Sequence, residues 1–540
     1  MQKNKKKTKG RKVKKSKLSL LIIIVLLIVV GAFLFLKFFN KGNNQGNSDT
    51  SATVNSNNDY VVSTSNVAAT EVGEKVLAEG GNAVDAAIAV SYALGVSQPY
   101  ASGIGGGGGM LIYDPSNDEY KFYDYKDAAP SSAETKQSDI GVPGFVKGME
   151  TISKDYGTKN ISDLIQYSVD LARDGVKVDE DISKAMNAFS SLVQNDEDYL
   201  KDGQLLTEGD TLVQSELADT LEYIQQNGAA GFYSGEIGQN IANAGSMQVS
   251  DLDKYEVKER EPVYGEYNGY ELVSAPPPFS GTTLIQMLEI IERQSVNKDI
   301  SDTNTYLEVL DSATTLANYD RGKKLCDLDF KSVNYNEMTT ESYITNLLKT
   351  KDPTYVDDDE SESTTHFVIV DKDGMVVSCT NTLGHFYGSQ TKVNGFYLNC
   401  SLKSFGTTGI NKYKPGKRPR TYTCPTIIKK DNYIMGIGSP GGNRILKLLA
   451  PILVDDLYFE KDLQESINKS RVIFYEPGVL MLESNRSEDY IIDVDDSGYP
   501  YVDVNDQLYF GAVQAGGIDN GHYFGASDNR RLGKVSINDK

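Results

Sequence analysis

Layered α/β packing is the fold class that this 540-residue chain predicts, on three observations. Residues 364–380 read as a strand, a tight turn at Asp373-Gly374 and a return strand. Helical apolar faces flank Gly80-Gly81-Asn82 between residues 68 and 96. A glycine-rich turn, Gly438-Ser439-Pro440-Gly441-Gly442-Asn443, separates a strand at residues 432–437 from a helix at residues 444–453. Hairpins alternating with helices lay helices over the faces of buried sheets, and stacked layers are the stable form of that arrangement.

The N-terminus differs from everything after it. Residues 1–48 hold 12 of the 54 basic residues and none of the 75 acidic ones, so the rest carries a net charge of −33 against −21 for the whole. Behind a basic tail, residues 1–17, comes an apolar run at residues 18–36 that opens on Leu18 and closes on Leu36. It is long enough to span a bilayer as a helix, and the lysines before it favour a cytoplasmic N-terminus with the remainder outside. A cleaved signal peptide is the alternative. The length of the run and the lack of a small-x-small site after it favour an uncleaved anchor, and no cysteine stands near its end to carry a lipid. Residues 37–60, rich in Gly, Asn, Ser and Thr, read as a flexible stalk.

Further along, the run Gly103-Ile104-Gly105-Gly106-Gly107-Gly108-Gly109 leads into a strand at residues 110–113, where so many glycines serve close backbone approach or positive φ. No Gly-Lys-Ser/Thr follows and a strand, not a helix, comes next, which excludes a phosphate-binding loop. Residues 161–230 carry helical patterns with polar faces, and Ala275-Pro276-Pro277-Pro278-Phe279-Ser280-Gly281 is a rigid turn before a helix at residues 282–293. Four cysteines are too few for a disulfide framework. The three histidines, His366, His385 and His522, have no metal-site spacing, so neither a metal nor a cofactor is expected, and the acidic balance beyond the tail gives no footing for nucleic acid.

The chemistry begins where an acidic, poorly hydrophobic run at residues 351–363 stops and Thr364-Thr365-His366-Phe367-Val368 opens a strand. A solvated tether ending at a hydroxyl residue on a core strand suits self-cleavage. Cutting between Ser363 and Thr364 would leave Thr364 with a free α-amine beside its hydroxyl, and an N-terminal amine is a base that activates a threonine nucleophile. The same residues also read as an ordinary strand start without chemistry.

Five motifs lie in one order along the chain: residues 80–87 (Gly-Gly-Asn-Ala-Val-Asp-Ala-Ala), the glycine run ending at Gly109, Ala275-Pro276-Pro277-Pro278, Thr364-Thr365-His366 and Gly438-Ser439-Pro440-Gly441-Gly442. In that order, over nearly all of residues 61–540, the chain resembles the γ-glutamyltransferase family. The resemblance implies an α+β N-terminal-nucleophile hydrolase fold, a four-layer αββα sandwich. It also implies autocleavage at Ser363-Thr364 into a large subunit, residues 61–363, and a small catalytic subunit, residues 364–540, that stay associated. Residues 140–146, 276–281, 378–383, 416–418 and 529–531 are similar to the branch of the family that processes poly-γ-glutamate capsules.

By resemblance, Thr364 is the nucleophile with its own α-amine as base, and Thr382 hydrogen-bonds its hydroxyl. Gly441 and Gly442 supply backbone N–H groups to the oxyanion, and Lys126, Thr421, Tyr422, Arg444, Arg530 and Arg531 are candidates for substrate binding. Thr365 and His366 are expected to face the core. Lys126 stands where glutathione-processing members clamp a substrate carboxylate with arginine, so charge is kept and the bidentate fork lost. Thr421-Tyr422 replaces their paired serines, Ser404 their aspartate for the substrate α-amine, and Gly384 a nearby asparagine. Without that aspartate an ammonium lacks its counter-ion, whereas the interior α-nitrogens of a γ-linked polymer are uncharged amides. The expectation is a membrane-anchored, extracellular γ-glutamyl hydrolase or transpeptidase acting on poly-γ-glutamate, with water or an amine of the cell wall as acceptor. A glutathione-type γ-glutamyltransferase and a non-catalytic polyglutamate-binding surface protein are the competing readings.

Overall fold

Two antiparallel sheets lie face to face in the computed structural model, which describes residues 59–354, 363–484 and 497–539. In chain order, strand β1 (Tyr60–Thr64) is followed by helices α1 (Val67–Ala78) and α2 (Ala83–Ser97), then β2 (Gly107–Asp114) and β3 (Glu119–Asp124). Helices α3 (Phe145–Tyr156), α4 (Ile161–Asp174) and α5 (Ser215–Tyr233) come next. Strands β4 (Lys258–Arg260), β5 (Val263–Tyr267) and β6 (Tyr270–Ser274) precede helices α6 (Gly281–Ser295) and α7 (Thr303–Lys324). The remainder supplies β7 (Ser363–Val370), β8 (Val376–Gly384), β9 (Thr426–Lys430), β10 (Tyr433–Gly438), helix α8 (Ile445–Leu457), β11 (Gln514–Asp519), β12 (His522–Ser527) and β13 (Lys534–Asn538). One sheet runs β13-β1-β7-β8-β2-β3-β4 and the other β12-β11-β10-β9-β6-β5.

Side-chain alternation sorts these strands into layers. Phe367 and Ile369 of β7 join the core formed with α1 to α5, whereas Val368 and Val370 meet Ile427 and Ile434 of the second sheet. The outer face of that sheet, through Leu272, Ile428, Met435 and Ile437, packs on α6, α7 and α8. The layers are therefore helices, sheet, sheet, helices. Ser378 ties the middle two together: its hydroxyl donates to the Ile437 carbonyl at 3.2 Å and accepts the Thr426 N–H at 3.2 Å.

Local sequence explains the elements that flank the centre. Asn82 caps α2 by accepting the Asp85 N–H at 2.8 Å while Asp85 accepts the Asn82 N–H at 3.0 Å, a reciprocal cap. Asp85 also takes the N–H groups of Thr158 and Lys159, so the motif at residues 80–87 anchors the start of α4 as well as its own helix. The glycine run gives β2 its approach to β8, for a Cβ on Gly106 would lie 2.3 Å from the Thr382 carbonyl oxygen.

One sequence expectation is refined, and one lies outside the described residues. Residues 161–230 are not helical throughout: between α4 and α5 the chain makes two small strand pairs, Val176–Lys177 with Thr211–Leu212 and Leu200–Lys201 with Gln204–Leu205. The second closes on Asp202-Gly203, both at positive φ, a two-residue hairpin signal that outweighs the surrounding helical periodicity. The apolar run at residues 18–36 and most of the stalk lie outside the described residues, among which no helix is long and apolar enough to cross a membrane.

Replacing Ser378 by alanine would strand a buried carbonyl and a buried N–H between the sheets. The expected loss is about 2 kcal/mol, read as a lower urea midpoint with an unchanged slope.

Candidate active site

The β7–β8 register is regular from Val370↔Val376 back to Thr364↔Thr382, and then jumps to Ser363↔Gly384. Leu383 is thereby the extra residue of a bulge that lies opposite the Ser363–Thr364 peptide bond. Its backbone bonds elsewhere, donating to the Ala101 carbonyl at 3.1 Å and accepting from the Cys400 N–H at 2.9 Å. The bulge brings Thr382 under that peptide bond. Thr382 Oγ1 donates to the Ser363 carbonyl at 2.7 Å and accepts from Thr364 Oγ1 at 3.1 Å and from the Gly384 N–H at 2.9 Å. A hydroxyl has one proton and two lone pairs, so all three are engaged and each direction is set. Ser363, Thr364 and Thr382 are buried, at 0%, 1% and 6% exposure, and the Ser363 hydroxyl donates to the Tyr100 carbonyl. A hydroxyl in this position polarises the peptide carbonyl it donates to while orienting the neighbouring nucleophile.

Thr364 shares its strand face with His366, so both look toward the second sheet. His366 packs against Gly438 at the end of β10, where a Cβ would come within 2.3 Å of the ring. Burial pushes its pKa down to about 3, and its Nδ1 pairs with Thr380 Oγ1 at 2.8 Å, so the ring is a neutral wall and not a base for Thr364. Thr365 faces the other way and bonds Gln98 and Ser65. Past Gly438 the turn reaches Gly441, at φ 133°, a backbone geometry that favours glycine. The N–H groups of Gly441 and Gly442 donate to no acceptor among the described residues, and Gly442 opens a short 3-10 turn that continues into α8. Unused N–H groups at a helix start suit a developing oxyanion.

The arginines divide. Arg531 is buried; its Nη2 donates to the Leu508 carbonyl, and it interacts electrostatically with Tyr100, Asp181 and Arg444. Burial raises Asp181 to about 7, with Arg531 pulling the other way. Arg444 donates to the Tyr509 carbonyl at 2.7 Å and stacks on that ring at 3.9 Å. Arg444 and Arg531 thus lie within electrostatic reach of each other, and Arg531 also reaches Tyr100, whose carbonyl holds Ser363. Arg530 does not join them. It grips Glu483 with two bonds of 2.7–2.8 Å and also bonds Asp528 and the carbonyls of Ile467 and Lys469, an arrangement that consumes its fork inside the fold. Tyr422 is likewise redirected, lying in the second core beneath the Arg321 guanidinium at 3.6 Å. Thr421 bonds Thr423 at 3.1 Å and is sewn by its backbone to Pro278 and Ser280.

Lys126 is buried, and its charge pulls down the pKa of the neighbouring Asp127 carboxyl against burial. What holds its loop was not read from the sequence. Its carbonyl accepts from Tyr255 at 2.9 Å and from Arg418 at 3.2 Å. Burial opposes charge on the preceding Asp124, yet Arg418 and Arg260 outweigh it and hold that carboxyl below its usual range. Beside Lys126, burial raises Asp127 to about 7, and Ser401 donates to it. Gly416-Lys417-Arg418 was visible as a family stretch, but Arg260 carries no local signal and is found only through the partners that tertiary folding gives it.

A family model for gamma-glutamyltranspeptidase matches residues 69–537. The chain belongs to the gamma-glutamyltranspeptidase family. It is 41% identical over 483 residues to the capsule biosynthesis protein CapD proenzyme of Bacillus anthracis, covering 89% of this chain and 91% of that one. It is also 33% identical over 465 residues to the glutathione hydrolase proenzyme of Escherichia coli K12, covering 76% and 80%. The fold is shared with a cephalosporin acylase from Bacillus halodurans, at a TM-score of 0.79 and 21% identity over 91% of this chain and 98% of that one. As a gamma-glutamyltranspeptidase-family proenzyme, the protein is an autoprocessed enzyme of the hydrolase and transpeptidase type.

Two measurements follow from this geometry. Thr382→Val should slow chain cleavage by about 100-fold, as expected for losing one activating donor, while Thr382→Ser retains it; the readout is the rate at which fragments form on denaturing gels. For His366, the unfolded chain carries a proton between about pH 6.5 and 3 that the folded protein does not. Stability therefore falls as pH drops through that window, and wild type should lose up to about 1.4 kcal/mol per pH unit more than His366→Gln in urea unfolding.

Proposed function

We propose that the chain cleaves itself between Ser363 and Thr364 and then cleaves or transfers poly-γ-glutamate through a Thr364 acyl-enzyme. The observation that carries this reading is the set of three bonds on Thr382 Oγ1, joining the Thr364 hydroxyl to the Ser363 carbonyl. In the first stage Thr364 Oγ attacks the Ser363 carbonyl carbon, the C–N bond breaks, and the nitrogen takes the hydroxyl proton, leaving an ester. Water hydrolyses that ester, giving a Ser363 carboxylate and a Thr364 hydroxyl beside a free α-amine. In the second stage the amine takes the hydroxyl proton as Thr364 attacks a γ-amide. The N–H groups of Gly441 and Gly442 receive the oxyanion, and water or an amine acceptor releases the glutamyl group. The two fragments, residues 61–363 and 364–540, stay together because β7 and β8 pair with β1 and β2 across the cut.

Substrate class follows from charge. Arg531 reaches Tyr100 and interacts with Arg444, and Lys126 is buried near the glycine run in sequence, so cations are available to an anionic substrate within an acidic chain. Ser404 and Gly384 leave no carboxylate at the positions where glutathione-type members meet a free α-amine. The similarity to the CapD proenzyme supports a polymer substrate, and the apolar run at residues 18–36 supports an extracellular enzyme anchored by that segment. The glutathione hydrolase relatives favour a second reading, the same acyl-enzyme acting on small γ-glutamyl peptides.

Intact mass and N-terminal sequencing of wild type and Thr364→Ala test the first stage. Two fragments, one beginning at Thr364, are expected from wild type alone, and a wild-type chain that stays whole after prolonged incubation would overturn the scheme. Chain-length analysis of poly-γ-glutamate, run beside glutathione turnover, decides between the substrates. Faster turnover of glutathione would favour the second reading.

A further inference from the structure

A small cavity opens just past Gly384, the strand partner of Ser363, and nothing in the scheme above uses it. Gly384 pairs with Ser363, and the next residues, His385 and Phe386, leave the strand to line a space of about 270 Å³ closed by Phe189, Gln390 and Lys403. Phe386 stacks on Tyr100 at 5.7 Å and on Phe189 at 5.6 Å, and the Tyr100 carbonyl holds the Ser363 hydroxyl. The Lys403 segment is sewn to the same strand end. The Cys400 N–H donates to Leu383 at 2.9 Å, the His385 N–H to Cys400 Sγ at 3.2 Å, and the Lys403 N–H to Cys400 at 3.0 Å. The cavity therefore adjoins the acyl side of the bond, the side occupied by Ser363.

Its charge is one-sided. Lys403 is exposed, no described carboxylate pairs with it, and no Asp or Glu lines the cavity among the described residues. Lys392, eleven positions earlier, is by contrast neutralised by Asp196 at 2.7 Å and Asp198 at 2.6 Å. In a chain of net charge −21, a lysine kept clear of carboxylates at the edge of a cavity one strand position past the partner of Ser363 suits an anion. The volume lies below the ~300–1,000 Å³ of drug-sized sites and suits a single residue-sized group.

We infer that this cavity receives the γ-glutamyl residue joined to the α-nitrogen of the residue under attack, with Lys403 binding its α-carboxylate. The inference rests on the polymer reading above and extends it. Where glutathione ends in an ammonium, a γ-linked polymer continues through an uncharged amide into a further residue bearing a carboxylate. Ser404 in place of the aspartate removes the counter-ion for the first, and Lys403 next to it supplies one for the second.

The test uses the matured full chain and three p-nitroanilides: γ-glutamyl, γ-glutamyl-γ-glutamyl, and the last with its outer α-carboxylate replaced by a carboxamide. Wild type should prefer the carboxylate over the carboxamide by about two- to fivefold in kcat/KM, the scale of one exposed ion pair, and added salt should erode the preference. Lys403→Ala should bring the ratio to about one and Lys403→Glu should invert it, by the same pairing argument, while Lys403→Arg keeps it. A ratio compares two substrates on one preparation, so it is insensitive to the fraction of enzyme that matures. A ratio near unity in wild type, or one that survives Lys403→Ala, overturns the inference and leaves the γ-glutamyl chemistry standing. Release of anilide from none of the three overturns both.

Discussion

A buried bulge in one strand pair governs this protein. Because β8 spends an extra residue, Leu383, opposite the Ser363–Thr364 bond, Thr382 drops into a position from which one hydroxyl reaches a carbonyl, a second hydroxyl and an N–H. Without the bulge the pairing would shift by one residue, and a one-residue slip in a strand sends side chains to the opposite face. The glycine run of β2 belongs to the same constraint, since a side chain at Gly106 would collide with the Thr382 carbonyl and push the strand away. So do the contacts of Leu383 with Ala101 and Cys400, which satisfy a backbone that the ladder leaves unpaired.

Positioning the reactive threonine between two sheets has an electrostatic consequence. The slot is buried and His366, its nearest titratable neighbour on the strand, is held neutral by burial. That leaves the α-amine exposed by chain cleavage as the base adjacent to Thr364 in the proposed scheme, and the cut becomes part of the chemistry as well as of maturation. The cations proposed to serve the substrate are held by the fold and not left to move. Arg444 lies on Tyr509, Arg531 is buried against Leu508, and the Lys126 loop hangs from Arg418 and Tyr255. Fixed charges of this kind stabilise an anion without reorganising.

Neighbouring residues of identical type are put to different uses. Arg530 and Arg531 are adjacent in sequence, yet the first is consumed by Glu483 and Asp528 while the second lies near Tyr100. In the same way Thr421 stays close to the Pro278 turn while Tyr422 turns into the second core beneath Arg321. Sequence proximity places two side chains in one neighbourhood, and the direction of each is settled by which partners fold up against it.

Local patterns sufficed for much of this. The β7–β8 hairpin, the α1–α2 pair about Gly80-Gly81, the strand–turn–helix at residues 432–453 and the abrupt change from acidic run to core strand at Thr364 are all written in short-range periodicity and turn chemistry, because a few neighbouring residues determine them. The order of motifs was enough to indicate the family. Tertiary structure alone decided the bulge at Leu383, the Asp124–Arg260–Arg418 network under the Lys126 loop, the division between Arg530 and Arg531, and the cavity at Lys403. Each depends on groups far apart in the chain, such as Asp124 with Arg418 or Tyr100 with Ser363. A buried charge or hydroxyl takes its role from the partner that desolvation obliges it to find, and that partner is chosen by packing rather than by neighbouring sequence.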